Sequence, residues 1–409
     1  LVRLPAGPGA PKGVDDYLVA QGPQKLSKLV KKAKPFKPRK TKVKPDYQPH
    51  PIRPAIQVNN RQLLEITTDA LAALRTANQT PRIFVRNSQL VWIARSEQGV
   101  PQINPLGENE LRNLLGSAAD WVSQNIIGQL TPTLTPIAIV RSVMGLGEWS
   151  FPPLRGLTSV PVLRPDGTIL STPGYDPATQ LYFTPLPGAV LPSVPTDPSQ
   201  DQAKEAARYL LDDLLVDFPF VDQPSRANAL AAMVTPVLRP AIAGSVPLAL
   251  VNAPKAGTGK SLLAEIFGWV STGQQTTLTS PPQAKNEDPE WQKIITAALL
   301  QGVPVICFDN LEGTLRSPAL SLAITATRYS ARILHQSYAP ELPVRVTWYA
   351  TGNNVQLGGD LPRRVYWITL DPKCSRPWER NGFRHDPLRS WVDANRGKLL
   401  GCLLTMARA

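Results

Sequence analysis

The run PKAGTGKS at residues 254–261 is the part of this sequence best suited to hold a phosphate. An apolar stretch, Val246 to Val251, precedes it and a helix-like segment, 261–270, follows it. The glycines therefore stand between a strand and a helix N-terminus, where backbone N–H groups and the helix dipole favour a polyphosphate. Gly257 and Gly259 permit backbone angles that a side chain would forbid. The run predicts a nucleotide site formed by Lys255, Ala256, Gly257, Thr258, Gly259, Lys260, Ser261 and Leu262.

Within this loop, two side chains have a predicted chemical role. Lys260 would reach the β- and γ-phosphates, and the hydroxyl of Ser261 would hold Mg²⁺. Downstream, the apolar run VPVICF ends in Asp309, a carboxylate at the mouth of a buried strand, where a Mg²⁺ ligand is needed. The next residue is Asn310, whose amide cannot take a proton from water, so the general base is either Glu312 or missing.

Further along, the strand-like run VTWYATG ends in Asn353. An amide there would orient the attacking water and touch the γ-phosphate. Arg363 and Arg364 directly precede the last apolar run. An arginine that projects from one subunit onto a neighbour's γ-phosphate stabilises charge in the transition state, and that role requires an oligomer.

The segment 331–345, ARILHQSYAPELPVR, lies between the runs that end in Asp309 and Asn353. Its spacing predicts a hairpin that pairs 333–335 with 342–344. Hydrogen-bonding and stacking side chains near its tip suit single-stranded backbone and bases. The DNA-binding candidates are Arg332, His335, Gln336 and Tyr338. A surface hairpin with ordinary polar residues remains an open alternative.

These residues must be positioned by an alternation of strands and helices. β-rich apolar runs are predicted over 246–251, 276–278, 303–308, 344–350 and 365–370, with helices over 261–270, 289–300 and 317–328. Such alternation predicts an α/β fold with a mostly parallel sheet covered on both faces. Ligands bind beyond the carboxyl ends of the strands of such sheets. The phosphate loop is expected at that edge.

The chain has 409 residues, enough for two or three domains. We predict the tail of an upstream domain over 1–24, a basic linker over 25–56, a smaller α+β accessory domain over 57–200 and the nucleotide-binding domain over 201–409. In the accessory domain, helices are expected over 61–77 and 108–122 and a hairpin over 83–94. Short strands are expected over 154–187. Two further helices are expected over 202–215 and 225–242.

The net charge of +13 is concentrated in one tract, 25–44, which holds ten Lys and Arg and no acidic residue. Its prolines predict an extended, solvated segment. The tract would neutralise nucleic-acid phosphates without reading sequence, although a plain solvated linker is the alternative. Three scattered cysteines fit a reducing, cytoplasmic compartment, with Cys307 expected as a buried thiol. No apolar stretch reaches membrane-spanning length.

The ordered set GTGKS, FDN, a basic hairpin, ATGNN and LPRR resembles the ATPase core of AAA+ helicases. It is most similar to superfamily-three helicases and to the primase-helicases of phages, plasmids and mobile genetic elements. The resemblance covers about 225–404. It implies ATP and Mg²⁺ as cofactors, Walker A at 257–261, Asp309 in Walker B, Asn353 at sensor one, and Arg364, with Arg363 as the second candidate, as the arginine finger. The hairpin would grip single-stranded DNA in the channel of a ring.

The resemblance therefore predicts a hexameric, ATP-driven DNA helicase that acts on single-stranded or forked DNA during replication of a mobile element. The sequence leaves two alternatives open: a protein-remodelling ATPase built on the same core, and an ATP-stabilised DNA-binding ring without efficient hydrolysis. Pro254 and Asn310 depart from the common pattern. The segment KGVDDYLVAQG resembles the end of a Toprim-like domain, so the resemblance places a primase domain upstream in a longer chain.

Overall fold

The computed structural model describes residues 13–33, 47–48, 50–97, 99–282, 288–330 and 341–409. The helices are α1 Val14–Gln21, α2 Pro23–Lys31, α3 Leu63–Ala77, α4 Glu108–Ala118, α5 Ile137–Gly145, α6 Gln200–Tyr209, α7 Gln223–Leu238, α8 Lys260–Thr272, α9 Asp288–Gln301, α10 Pro318–Thr325 and α11 Leu388–Arg408. The strands are β1 Ala55–Gln57, β2 Ile83–Arg86, β3 Gln89–Arg95, β4 Pro101–Pro105, β5 Asp120–Gln124, β6 Leu130–Pro132, β7 Gly156–Thr158, β8 Val162–Leu163, β9 Ile169–Leu170, β10 Gly174–Asp176, β11 Leu181–Phe183, β12 Leu248–Ala253, β13 Leu278–Thr279, β14 Val305–Leu315, β15 Arg328–Ser330, β16 Glu341–Pro343, β17 Thr347–Leu357 and β18 Val365–Thr369.

The chain forms two compact units, one of residues 1–48 with 123–132 and one of 49–122 with 133–409. In the first unit, α2 contradicts the prediction that the basic tract is extended from its start. Pro23 occupies the first turn of this helix, a position where proline is favourable, and no other proline follows until Pro35. The helical part of the tract carries Lys25, Lys28 and Lys31.

The second unit begins with a small α/β layer built around α3, α4 and α5. β1 pairs in parallel with β5, and Ile56 and Trp121 are buried in the shared core. The helix expected over 108–122 ends at Ala118, because the residues that follow form β5 beside β1. Pairing with a distant strand, which local periodicity does not reveal, decides the end of this helix.

The predicted hairpin is confirmed as β2 and β3, joined by Asn87 and Ser88 with φ of 50° and 57°. Positive φ at both central residues is the geometry of a tight two-residue turn. The short strands expected between 154 and 187 are also confirmed as β7 to β11.

The last part of the second unit is built on a five-stranded parallel sheet in the order β13-β14-β17-β12-β18. This confirms the expected α/β fold with a central parallel sheet. Crossover helices α8, α9 and α10 lie between successive strands along the chain, as parallel pairing requires.

Alternate residues of the sheet serve two separate cores. Ala249 and Val251 of β12 pack with α7, α8 and α11, whereas Leu248 and Leu250 pack with α9 and α10. Side chains alternate between the faces of a strand, so a sheet covered on both sides has apolar residues at successive positions. Cys307 is fully buried in the first of these cores, as expected. None of the helices in the described part of the chain is long and apolar enough to cross a membrane.

Candidate nucleotide-binding site

The glycine loop joins the carboxyl end of β12 to the first residue of α8. Gly257 and Gly259 have φ of 73° and 93°, in the left-handed region that favours glycine. A Cβ on Gly257 would lie 3.0 Å from Cβ of Trp378, and one on Gly259 would lie 3.4 Å from the ring of Phe218. Thr258 is buried and its hydroxyl donates to the carbonyl of Lys255 at 2.7 Å. The loop thus has backbone angles and close neighbours that side chains would not allow.

The Lys260 side chain is buried at the start of α8 and only 7% of the residue is exposed. Its Nζ donates to Oδ1 of Asn353 at 2.8 Å and to the carbonyl of Lys255 at 3.1 Å. Burial lowers the pKa of Lys260, and the negative charge of Asp309 partly opposes that change. Within the described residues, no carboxylate forms a salt bridge with this ammonium group. The cation is held in place by neutral acceptors.

Asp309 links the loop to two strands of the sheet. Its Oδ1 accepts from the hydroxyl of Ser261 at 2.7 Å and from the hydroxyl of Thr351 at 2.6 Å. The structure therefore brings together Ser261 and Asp309, the two predicted Mg²⁺ ligands. Thr351 was missed by sequence analysis, because a threonine inside an apolar strand is ordinary β-sheet composition.

A register shift between Phe308 and Leu311 on β14 includes Asp309 and Asn310. Asn310 lies in this irregularity with φ of 63°, and its backbone N–H donates to the hydroxyl of Thr351 at 3.1 Å. After the shift, Glu312 lies opposite Asn353 of β17. The predicted base and the predicted sensor residue are therefore neighbours across two adjacent strands.

The remaining loop residues are exposed or half-buried. Ala256 is exposed and Leu262 is half-buried. Lys255 is exposed and its Nζ donates to the carbonyl of Cys374 at 3.1 Å. Asn354 ties β17 to the loop, since its Nδ2 donates to the carbonyl of Pro254 at 3.1 Å.

A segment after β18 covers one side of the glycine loop. It includes Cys374, which accepts from Lys255, and Trp378, whose Cβ approaches Gly257 although 63% of the residue is exposed. Trp378 could not be identified from the sequence, because it lies more than one hundred positions from the loop and belongs to no periodic element. A tryptophan within the polar run SRPWERNG is the sequence signal that would have drawn attention to it.

The two adjacent arginines have different surroundings. Arg364 is 17% exposed; its guanidinium donates to the Ser321 carbonyl, to Thr325 Oγ1 at 3.2 Å and to Asp360 Oδ2 at 3.1 Å. Arg363 is 71% exposed and pairs with the same carboxylate of Asp360 at 3.1 Å. The structure thus holds Arg364 against α10 of its own subunit and leaves Arg363 accessible.

β15 and β16 form an antiparallel pair, with Tyr329 opposite Leu342. The sequence predicted 333–335 as the partner of 342–344; within the described residues, the partner of β16 is instead 328–330. The helix expected over 317–328 ends at Thr325, because Arg328 already belongs to this pair. The DNA-binding candidates lie in 331–340, outside the described residues, as does the predicted strand 333–335. They are Arg332, His335, Gln336 and Tyr338.

No protein-family model and no curated protein matches the sequence. Among solved structures, two of the apo C-terminal region of NrS-1 are similar to this chain. The first is 12% identical with a TM-score of 0.45 and covers 82% of this chain and 68% of its own; the second is 12% identical with a TM-score of 0.41 and covers 83% and 68%. A structure of JCV helicase with a bound acetamide compound is 14% identical, has a TM-score of 0.25 and covers 51% of this chain and 61% of its own. All three TM-scores lie below 0.5, so they carry no conclusion about function.

Proposed function

We propose that the second unit binds ATP at the glycine loop and hydrolyses it. One observation carries this proposal: Lys260, Ser261, Asp309 and Asn353 converge at the carboxyl edge of a parallel sheet, where α/β folds bind their ligands. These residues come from two strands and one helix. A chance glycine-rich turn gives no reason for such convergence.

The residues present fit Mg²⁺. The Ser261 hydroxyl and the Asp309 carboxylate are hard oxygen donors whose contacting atoms lie 2.7 Å apart. Within the described residues, no cluster of three or more His, Cys, Asp and Glu side chains would hold a metal alone. This fits Mg²⁺, which is usually bound by one or two protein groups together with substrate phosphates. The ion would neutralise charge that develops on the phosphates.

The other residues then have defined roles. Lys260 balances charge on the β- and γ-phosphates, and Asn353 orients the attacking water beside it. Glu312, opposite Asn353, takes the proton from that water. Arg363 is the better placed of the two arginines to reach the nucleotide of a neighbouring subunit, since Arg364 is held within its own subunit.

We further propose that hydrolysis drives a hexameric DNA helicase or translocase, as the resemblance to AAA+ superfamily-three helicases of mobile elements implies. Exposure of Arg363 supports a shared active site, and β15 and β16 flank the segment 331–340 that carries the DNA-binding candidates. Positive charge in α2 and in the tract that follows it adds affinity for phosphates without reading sequence.

The direct test is Lys260→Ala, with Lys204→Ala on exposed α6 as the matched lysine control. Loss of a positioned cation from the γ-phosphate should abolish ATP turnover in the first variant and leave it unchanged in the second. Circular dichroism should show both variants folded. Unchanged turnover in Lys260→Ala refutes the site. Stimulation of wild-type turnover by single-stranded DNA supports the motor, and no stimulation favours a protein-remodelling ATPase.

One observation favours a second function, an ATP-stabilised DNA-binding ring. Asn310 occupies the position directly after Asp309 and provides no base. Tight ATP binding with ring assembly on DNA, but without measurable turnover, would select this function over the motor.

A further inference from the structure

A cavity of about 580 Å³ lies at the edge of the central sheet opposite the glycine loop. It is lined by residues that precede two strands, such as Pro304 before β14 and Val346 before β17. The ends of α8 and α9 and parts of β4 and β7 complete its walls. Since the glycine loop follows the carboxyl end of β12, the cavity is a separate site.

The cavity is lined by four arginines, Arg86, Arg155, Arg239 and Arg345, and no lining residue is acidic. Within the described chain, none of the four forms a salt bridge with a carboxylate. Four cations thus share a small space without a paired carboxylate among the described residues. Buried charges are normally paired, because removing an unpaired charge from water is costly in free energy.

Two of these arginines also have structural partners. Arg86 donates to the carbonyls of Leu299 and Leu300 at the end of α9. Arg239 donates to the carbonyls of Ile242, Val344 and Val346. These bonds explain why the two side chains are buried. They do not use all donors: Nε of Arg86 has no hydrogen-bond partner among the described residues, and only 8% of this residue is exposed.

The other two arginines have N–H groups without a hydrogen-bond partner among the described residues. Arg345 uses Nη1 for the carbonyls of Ile242 and Ala243. The guanidinium of Arg155 has no hydrogen-bond partner within the described residues. Burial and the charge of Arg155 lower the pKa of Arg345, and burial and the charge of Arg345 lower the pKa of Arg239 to about 10. Arg345 therefore lies within the fields of both Arg155 and Arg239.

We propose that this cavity binds a small molecule that carries a polyphosphate, with Arg155 and Arg345 as its main ligands. The planar guanidinium fork matches phosphate oxygens and binds them bidentately. The volume lies within the range of small-molecule pockets. Apolar lining residues, among them Ile103, Leu157 and Leu181, would accommodate a nucleoside attached to the phosphates. The ligand would join β4 and β7 to the amino ends of β14 and β17.

The test is isothermal titration of the Lys260→Ala variant, in which the glycine loop is disabled, with tripolyphosphate and with ATP. We expect both to bind, and Arg155→Gln added to this background to weaken binding about tenfold or more. Arg155→Gln removes no side-chain hydrogen bond within the described chain, so the fold should persist, as circular dichroism would verify. Arg208→Gln on exposed α6 is the matched control and should have no effect.

The same titrations identify the chemical class of the ligand. Tighter binding of ATP than of tripolyphosphate identifies a nucleoside polyphosphate, and equal binding identifies polyphosphate recognition alone. Failure of both to bind, or binding that is unchanged by Arg155→Gln and by a separate Arg345→Gln variant, overturns the proposal. Arginine-dependent binding of a short single-stranded oligonucleotide, but of neither small molecule, overturns it in favour of nucleic acid.

Discussion

The backbone conformation at Asn310 determines which residue is placed to act as the proposed general base. The residue has φ of 63°, a conformation that Asn adopts more readily than most side chains. Glutamate at this position would add backbone strain of about 1–2 kcal/mol. The register shift at Asn310 places the next carboxylate, Glu312, opposite Asn353. The same backbone irregularity therefore disfavours a glutamate at 310 and positions one at 312.

We therefore expect Glu312→Gln to lower the turnover number for ATP by about 100-fold or more, since a positioned base contributes about 10²–10⁴ in rate. Nucleotide affinity should hardly change, because the amide keeps the size of the carboxylate. Steady-state hydrolysis and equilibrium binding of ATP separate these two quantities.

The matched control for this prediction is Glu148→Gln, a glutamate exposed in the loop after α5. It should leave turnover unchanged. A turnover number in Glu312→Gln within twofold of the wild type would contradict the role of Glu312 and would favour a ring that hydrolyses ATP without a protein base.

A residue of the site could be predicted from sequence when the residues next to it in the chain determine its position. Asp309 and Asn353 end apolar runs that are visible in the chain, and parallel pairing brings them to one edge. Thr351 and Trp378 could not be predicted, because their roles arise from contacts with residues distant in sequence. The surroundings of Arg364 could not be predicted either, because its hydrogen bonds to Ser321 and Thr325 depend on where α10 ends.

At the scale of elements, the segment from Cys374 to Trp378 forms one wall of the glycine loop. Trp378 lies against Gly257 yet is largely exposed, so its indole is available to stack on a base beside the phosphates. We expect Trp378→Ala to weaken ATP binding about tenfold, because stacking of a base on an aromatic ring contributes about 1–3 kcal/mol. Fluorescence or calorimetric titration of ATP would measure this.

Two comparisons make the role of Trp378 specific. Trp378→Phe keeps an aromatic surface and should retain most of the affinity, and Phe383→Ala, at an exposed aromatic of the same region, should be neutral. Affinity of the glycine loop for tripolyphosphate, which has no base, should not change in Trp378→Ala. An equal loss for ATP and tripolyphosphate would mean that the indole only supports the loop.

Element boundaries show the same division between local and distant causes. The cores of β12, β14, β17 and β18 were predicted, because buried parallel strands are continuous apolar runs. Extension of β14 to Leu315 was not predicted: its last residues, EGTL, carry no strand pattern and pair only because β17 continues beside them. Local periodicity identifies a strand, but its neighbour sets its length.

At the scale of the whole molecule, the central question is whether one subunit contains a complete catalytic site. Lys260, Ser261, Asp309 and Asn353 meet within one chain, whereas Arg363 is the last residue of the 3₁₀ turn that precedes β18 and faces solvent. Its pairing with Asp360 is an exposed contact, and such pairs stabilise a protein by only about 0–1 kcal/mol. The arginine can therefore leave this partner at little cost in free energy.

A subunit-mixing experiment tests whether Arg363 acts on a neighbouring subunit. Arg363→Ala alone should lower ATP turnover about 10³-fold or more, since an arginine supplied in trans contributes that much to transition-state stabilisation. Lys260→Ala alone should also be inactive. In rings assembled at random from equal amounts of the two variants, about a quarter of the interfaces join an intact Lys260 to an intact Arg363. Turnover should therefore rise well above that of either variant. No recovery in mixed assemblies would place Arg363 in the active site of its own chain or outside it.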